Sequence, residues 1–144
     1  MDNLNRNGKI LAVTLDHGLT IGPVSGLINM NKTVDSVQKG GASAVVAHKG
    51  IFKTLDTKVK IGKIVHLSAS TNLSVFPDDK VIVGSPELVR EMGADAVSIH
   101  INIGSSHDRN MLEDLGLIAD ECSELNIPLL AMMYPRGENI SNPF

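Results

Sequence analysis

Five short apolar runs recur along the chain, and their repetition limits the possible folds more than any other feature. Each run is followed by a polar, glycine-rich stretch, and successive runs begin 20 to 34 residues apart. The runs are rich in Val and Ile without strict alternation, which is typical of strands buried on both faces of a parallel sheet. The spacing leaves room for a loop and a helix, so repeated βα units are predicted. The predicted strands are Ile10–Leu15, Ala44–Ala47, Ile64–Leu67, Ala96–Ile101 and Pro128–Met133.

The segments between these runs predict helices. Apolar residues recur at three- and four-residue steps from Met111 to Leu125, which predicts a helix with Asp108 as its N-cap and an end near Asn126. Cys122 lies on the apolar face of this helix and is expected in the core. The other predicted elements are a helix over Thr33–Lys39, a short helix around Ile51–Lys58, a helix capped by Ser85 that ends at Met92, and a small strand over Lys80–Val83.

A repeated joint favours a barrel over an open sheet. Gly41–Val45 and Gly93–Val97 share the pattern G-A-x-A-V, each where a helix enters a strand. A dinucleotide-binding sheet would carry G-x-G-x-x-G after its first strand, but Asp16–Gly22 reads DHGLTIG. The predicted fold is therefore an α/β (β/α)8 TIM barrel. A whole barrel takes about 250 residues, so residues 1–144 are expected to be the N-terminal part of one barrel domain, about its first five βα units.

Composition excludes several classes of function. The 13 Lys and Arg against 16 Asp and Glu give a net charge of −3, which argues against nucleic-acid binding. No apolar run approaches the roughly 18 residues that a membrane span needs, so no membrane partner is expected. A single cysteine fits a reducing compartment, and the expected location is cytoplasmic.

Polar residues cluster where the predicted strands end, which is where barrel enzymes hold their reactive groups. Asp16 follows the first strand and is a candidate general base, or else a turn residue that caps Gly18. Tyr134, the single tyrosine, is a candidate proton donor or a packed core aromatic. Arg136 is a candidate carboxylate or phosphate clamp, or else part of a surface ion pair.

Two further chemistries are weaker candidates at the same strand ends. Lys49 would be an amine nucleophile if desolvated, but an ion-pair role is the more common one for such a lysine. His48, His66 and His100 end three strands, and three imidazoles are able to hold a catalytic zinc. The sequence has no H-x-H or H-x-x-x-H pair and no acidic third ligand beyond Asp16, so no metal is predicted.

Taken together, these motifs resemble the archaeal class I aldolase family, and most closely its branch of 2-amino-3,7-dideoxy-D-threo-hept-6-ulosonate synthases. The resemblance covers nearly the whole chain, and the stretch from His66 to Thr71 is its most branch-specific part. The matching segments are Leu15–Gly18 with Gly22 and Pro23, Gly26 with Leu27, Ala47–Gly50, Val65–Thr71, Gly93–His100 and Pro128–Gly137.

The resemblance implies a transaldol reaction through a Schiff base. A lysine would bind the ketone of a deoxy-keto-hexose phosphate, and the resulting enamine would add to aspartate semialdehyde on a route to aromatic amino acids. By matched position, Asp16 would be the general base and Tyr134 the proton donor. Since the iminium is the electron sink, no metal or other cofactor is implied. The substrate-binding residues implied are Asp16, His17, Gly18, Leu19, Thr20, Tyr134, Pro135 and Arg136.

The resemblance places the Schiff-base lysine in a strand beyond Phe144, so the 144-residue chain alone is expected to be inactive. Two alternatives stay open. One is a class I fructose-bisphosphate aldolase, which belongs to the same superfamily. The other is a non-catalytic half-barrel that binds a partner or assembles. A homo-oligomer is expected, because an open sheet has two unpaired edges.

Overall fold

The computed structural model describes residues 4–5 and 7–141, and its main feature is a sheet of five parallel strands. Including a separate two-stranded pair, the described residues form the strands β1 (Ala12–Thr14), β2 (Ala44–His48), β3 (Gly62–His66), β4 (Ser68–Ala69), β5 (Val81–Ile82), β6 (Ala96–Ile103) and β7 (Leu129–Pro135). The helices are α1 (His17–Ile21), α2 (Met30–Lys39), α3 (Lys49–Thr54), α4 (Pro86–Glu91) and α5 (Asp108–Glu124). The sheet has the order β1-β2-β3-β6-β7, while β4 and β5 form a separate antiparallel pair.

The helices cover one face of the sheet. Val45 of β2 packs in a cluster with Val34 of α2, and Val97 of β6 packs in a cluster with Met111 of α5. Side chains of the opposite face form a cluster of their own, which includes Ala44, Val46, Ile64 and Ala96. A doubly wound sheet has helices on both faces, whereas sequential strands with helices on one face form the wall of a barrel. The predicted barrel fold is confirmed.

The repeated joint has the same structure in both copies. Gly41 has φ +92° and Gly93 has φ +64°, a backbone conformation that favours glycine at a helix end. The residue before each strand then bonds to the neighbouring strand: Ser43 Oγ accepts from Leu11 N at 2.9 Å, and Asp95 Oδ2 accepts from Lys63 N at 2.9 Å. The variable position of G-A-x-A-V thus carries a side chain that joins adjacent strands.

Several predicted boundaries are wrong by a few residues. The helix predicted over Thr33–Lys39 begins at Met30, because Asn29 Oδ1 accepts from Lys32 N at 3.1 Å and caps it. The helix predicted around Ile51–Lys58 is α3, directly after β2. Asp108 is the first residue of α5 and not its N-cap, which is His107; the Asp108 carboxylate accepts from Gly104 N at 3.2 Å.

Some of the remaining elements match the prediction from the sequence, and others were not predicted. Ser85 Oγ accepts from Leu88 N at 3.3 Å and caps α4, as predicted, and Cys122 is buried. The small strand predicted over Lys80–Val83 is β5, but its partner β4 was not predicted. The short helix α1 was not predicted either.

Candidate active site

Side-chain alternation brings the polar strand ends onto the concave face of the sheet. Successive strand residues point to opposite faces, and Ala44 and Val46, Ile64, and Ala96 belong to the inner cluster. Two residues further along each strand, the same face presents a polar side chain. These inner strand-end residues are His48 on β2, His66 on β3, Ser98, His100 and Asn102 on β6, and Tyr134 on β7.

Asp16 lies two residues beyond β1, and its carboxylate is largely enclosed. Its side chain is 18% exposed, and Oδ2 lies 3.7 Å from Nε2 of His66. Oδ1 is buried and has no hydrogen-bond partner among the residues that the structure describes; His17 Nδ1 is 4.0 Å away. Asp16 is the N-cap residue of α1 by position, but its carboxylate makes no capping hydrogen bond to that helix. A buried acceptor without a donor is suited to receiving a proton from a bound molecule.

Hydrogen bonds hold the three strand-end histidines, two of them across neighbouring strands and the third within β6. His66 Nδ1 lies 2.8 Å from Ser98 Oγ, and His48 Nδ1 lies 3.1 Å from the His66 carbonyl oxygen. His100 Nε2 lies 2.8 Å from Asn102 Oδ1. Burial lowers the pKa of His66 to about 4, although the Asp16 carboxylate opposes that effect.

Burial also lowers the pKa values of His48 and His100. At neutral pH His66 is therefore uncharged, and its contact with Asp16 is not an ion pair. Within the described part of the chain, no group of three His, Cys, Asp or Glu side chains is arranged to hold a metal ion.

Tyr134 and Arg136 form the other side of the site. The Tyr134 ring lies 4.8 Å from the His100 ring, centroid to centroid, and Arg136 Cζ lies 5.5 Å from the Tyr134 centroid. Such a cation–π contact fixes the guanidinium relative to the phenol. Tyr134 is 37% exposed, and it lies on β7, an edge strand of the described sheet. A partly exposed phenol at a strand end is able to exchange a proton with a ligand.

Lys80 is a residue of this site that the sequence prediction missed. Lys80 directly precedes β5 and is 9% exposed as a whole residue, and its Nζ lies 2.5 Å from Ser70 Oγ. Burial lowers its pKa, and the charges that act on it include Asp78, Arg136 and Asp16. The sequence placed Lys80 at the start of a small strand. One feature could have pointed to it. If the predicted small strand pairs with the segment Val65–Thr71, Lys80 lies at the mouth of the barrel.

The remaining predicted site residues lie around this centre. His17, Gly18, Leu19 and Thr20 form most of α1, where Leu19 is 52% exposed and the Thr20 carbonyl accepts from Asn72 N at 2.9 Å. Pro135 ends β7. Lys49 Nζ donates a hydrogen bond to the Val83 carbonyl, so the amine has a partner within the chain.

Comparison with known proteins decides the family. The model of the DeoC/LacD family aldolases matches residues 10–144. The chain belongs to this family. It is 43% identical over 139 residues to the 2-amino-3,7-dideoxy-D-threo-hept-6-ulosonate synthase 1 of Archaeoglobus fulgidus, which covers 95% of this chain and 53% of that protein. It is 40% identical over 137 residues to the 2-amino-4,5-dihydroxy-6-oxo-7-(phosphonooxy)heptanoate synthase of Streptomyces griseus, which covers 94% of this chain and 50% of that protein.

A solved structure is similar over almost the whole chain. It is an archaeal fructose-1,6-bisphosphate aldolase whose catalytic lysine is covalently bound to the carbinolamine intermediate of its substrate. The TM-score is 0.87 at 25% identity, over 99% of this chain and 58% of that one. The chain thus spans about half the length of its relatives. Among the described helices, none has the length and apolar character needed to cross a membrane.

Proposed function

We propose that this chain supplies the acid–base half of the active site of a Schiff-base transaldolase. In this proposal the enzyme joins part of a deoxy-keto-hexose phosphate to aspartate semialdehyde and makes 2-amino-3,7-dideoxy-D-threo-hept-6-ulosonate. The observation that carries the proposal is the enclosed Asp16 carboxylate, with one oxygen unpaired among the described residues, on a face shared with Tyr134. The 43% identity to a synthase of that name supports the choice of product.

The product name defines the bond that is made. It describes a seven-carbon 2-amino acid with a ketone at carbon 6. Aspartate semialdehyde provides carbons 1 to 4, with the carboxylate, the amine and the aldehyde. A three-carbon enamine from the ketone donor provides carbons 5 to 7, so the new bond joins carbon 4 to carbon 5. The Streptomyces griseus relative is named for a product with the same 2-amino and 6-oxo groups and a phosphate on carbon 7, which fits the same disconnection with another donor.

Asp16 acts in the cleavage half of this cycle. The lysine amine and the donor ketone form an iminium with loss of water. Asp16 then takes the proton of the hydroxyl group β to the iminium carbon, the carbon–carbon bond breaks, and its electron pair forms the enamine. An aldehyde phosphate leaves. The neutral His66 beside Asp16 supplies no fixed charge that would compete for the carboxylate.

Tyr134 acts in the addition half. The enamine carbon attacks the aldehyde carbon of aspartate semialdehyde, and the phenol donates a proton to the alkoxide that forms. Water then hydrolyses the new iminium and releases the product. The proton that Asp16 removed in cleavage then passes to the Tyr134 phenolate, so both residues regain their starting states and the cycle balances. Contacts with His100 and Arg136 hold the phenol in place for this role.

The nucleophile is proposed to lie outside these residues. We propose that residues 1–144 are the N-terminal part of one barrel domain, because β1 and β7 are the two edges of the described sheet and the relatives are about twice as long. Near the site, the Lys49 amine donates to a carbonyl and the Lys80 amine to a hydroxyl. We also propose a homo-oligomer, supported by Leu73 and Val75, which are 94% and 86% exposed.

Borohydride trapping tests this assignment. The enzyme that contains this chain is mixed with its ketose phosphate donor, reduced with borohydride and mapped by peptide mass spectrometry. The expected adduct is on a lysine C-terminal to Phe144, and the 144-residue chain alone should trap none. An adduct on Lys49 or Lys80 would overturn the placement of the nucleophile.

A class I fructose-bisphosphate aldolase is the second candidate. The observation that favours it is the TM-score of 0.87 to an enzyme of that activity. The strand-end cations weigh against it, because a bisphosphate needs two anion sites and Arg136 and Lys80 lie close enough to interact with each other.

A further inference from the structure

The β4–β5 hairpin continues from the end of β3 and is bonded to β6, and Lys80 directly precedes its second strand. Ser68 pairs with Ile82 and Ala69 with Val81, which places Ser70 opposite Lys80 where the connecting loop begins. Ser68 Oγ accepts from His100 N at 2.8 Å. The loop before Lys80 is tied to the same strand, since Asn102 Nδ2 donates to the Asp78 carbonyl at 2.7 Å. The position of the Lys80 side chain is therefore set by β6.

The Lys80 side chain is largely enclosed, and its ammonium has no carboxylate within 4 Å among the described residues. An ammonium has three donors, and the described residues provide one neutral acceptor, Ser70 Oγ. The ion pairs among the described residues do not include Lys80, so the carboxylates of Asp78 and Asp16 act on it from beyond 4 Å. A buried charge is costly unless it is paired. The arrangement indicates that an anion from outside the chain completes the site.

Arg136 adds a second positive charge near the Lys80 ammonium. Asn102, which holds the loop before Lys80, pairs in the sheet with Tyr134, whose ring lies beneath the Arg136 guanidinium. Burial lowers the pKa of Lys80, and repulsion from this guanidinium adds to the effect. Two cations close enough to repel each other are stabilised by an anion bound between them. The guanidinium is also held over the Tyr134 ring, 5.5 Å from its centroid. An anion bound there would lie next to the proposed proton donor.

We propose that Lys80 is a specificity-determining residue that binds, together with Arg136, the carboxylate of the aldehyde acceptor. This inference rests on the proposed function, and it adds a residue from the hairpin to the acceptor site. A carboxylate is favoured over the donor phosphate because barrel phosphate sites are usually built by the loops after the last two strands, on the other side of the mouth. The carboxylate of aspartate semialdehyde is three bonds from its aldehyde carbon, which keeps the aldehyde near Tyr134.

The test compares two acceptors that differ by the carboxylate alone, aspartate semialdehyde and 3-aminopropanal. In the enzyme that contains this chain, Lys80→Met should lower kcat/KM for aspartate semialdehyde by roughly 10- to 100-fold, the size expected for a charge-assisted hydrogen bond. It should leave kcat/KM for 3-aminopropanal and the KM of the donor nearly unchanged. Lys80→Arg should restore part of the preference. Lys53→Met is the matched control, because it removes the same charge from an exposed position on α3.

The opposing results are distinct. An equal loss with both acceptors would overturn the proposal, since Lys80 would then act on something other than the carboxylate. A rise in the KM of the donor, with the acceptor preference intact, would assign the anion site to the phosphate and also overturn it.

Calorimetric titration with succinate decides the inference independently of turnover. The wild type should bind succinate and Lys80→Met should bind it at least 10-fold more weakly; equal binding would overturn the inference. A wild type that binds succinate in this way but makes no product would refute the proposed function and not the anion site. If Lys80→Met melts below the wild type, Ser70→Ala replaces it. That variant keeps the charge but frees the ammonium, and it should show a smaller loss in the same direction.

Discussion

The buried histidine beside Asp16 should make the protein sensitive to acid. His66 has a pKa of about 4 in the folded protein, because burial disfavours its charged form, and an ordinary value near 6.5 in the unfolded chain. Between these two values the unfolded chain binds a proton that the folded protein does not, so the free energy of unfolding falls as the pH falls. The full effect is about 3 kcal/mol, of which about 2 kcal/mol should be lost between pH 7 and pH 5.

Urea unfolding at a series of pH values measures this effect. His66→Gln should flatten the decline between pH 7 and pH 5 by about 2 kcal/mol, because Gln does not titrate and its amide is still able to bond to Ser98. His48 and His100 have lowered pKa values as well, so part of the decline should remain in the variant. His107→Gln is the matched control, since that ring lies against Phe76, outside the strand-end cluster. Parallel curves for wild type and His66→Gln would refute the assignment of a neutral buried imidazole.

Two further predictions concern the reaction and the fold. Asp16→Asn and Tyr134→Phe should each reduce turnover by roughly 10²- to 10⁴-fold in the enzyme that contains this chain, while borohydride still traps the Schiff base; wild-type turnover in Tyr134→Phe, measured by product formation, would make the tyrosine a packing residue. Gly137→Ala should lower the free energy of unfolding by about 2 kcal/mol or more, because φ is +151° there and a Cβ would overlap backbone atoms of the β6–α5 loop. Gly116→Ala, where a Cβ meets nothing within 4 Å, should instead raise it by about 0.5–1 kcal/mol, and urea midpoints compare the two variants.

The parts of the fold that the sequence predicts are those set by local chemistry. Branched apolar runs identify β2, β3 and β6 because these strands are buried on both faces. The runs of β1 and β7 are apolar as well, although these two edge strands of the described sheet are half-buried or exposed. The cap of α4 is predictable because Ser85 and Pro86 act within one turn. Strand β4 has two residues and no periodicity, and it forms through its pairing with β5. That pairing spans a loop of several residues, so no local pattern reveals it.

The candidate site divides in the same way. Asp16 and Tyr134 are predictable because each directly follows or ends an apolar run, where barrel strands present their chemistry. Lys80 is not, since it reaches the site through the hairpin and its burial depends on Ser70 and on β6. The neutral state of His66 depends on its burial in the folded sheet, which residue spacing along the chain does not describe.

A comparison of initial rates with two sets of substrates tests the proposed function most directly. The enzyme that contains this chain is given the deoxy-keto-hexose phosphate with aspartate semialdehyde, or fructose 1,6-bisphosphate alone, and products are followed by mass spectrometry. We expect the seven-carbon amino keto acid to form, and the bisphosphate to be cleaved much more slowly or not at all. Faster cleavage of the bisphosphate, with no product from aspartate semialdehyde, would contradict the proposed function and make the protein a fructose-bisphosphate aldolase.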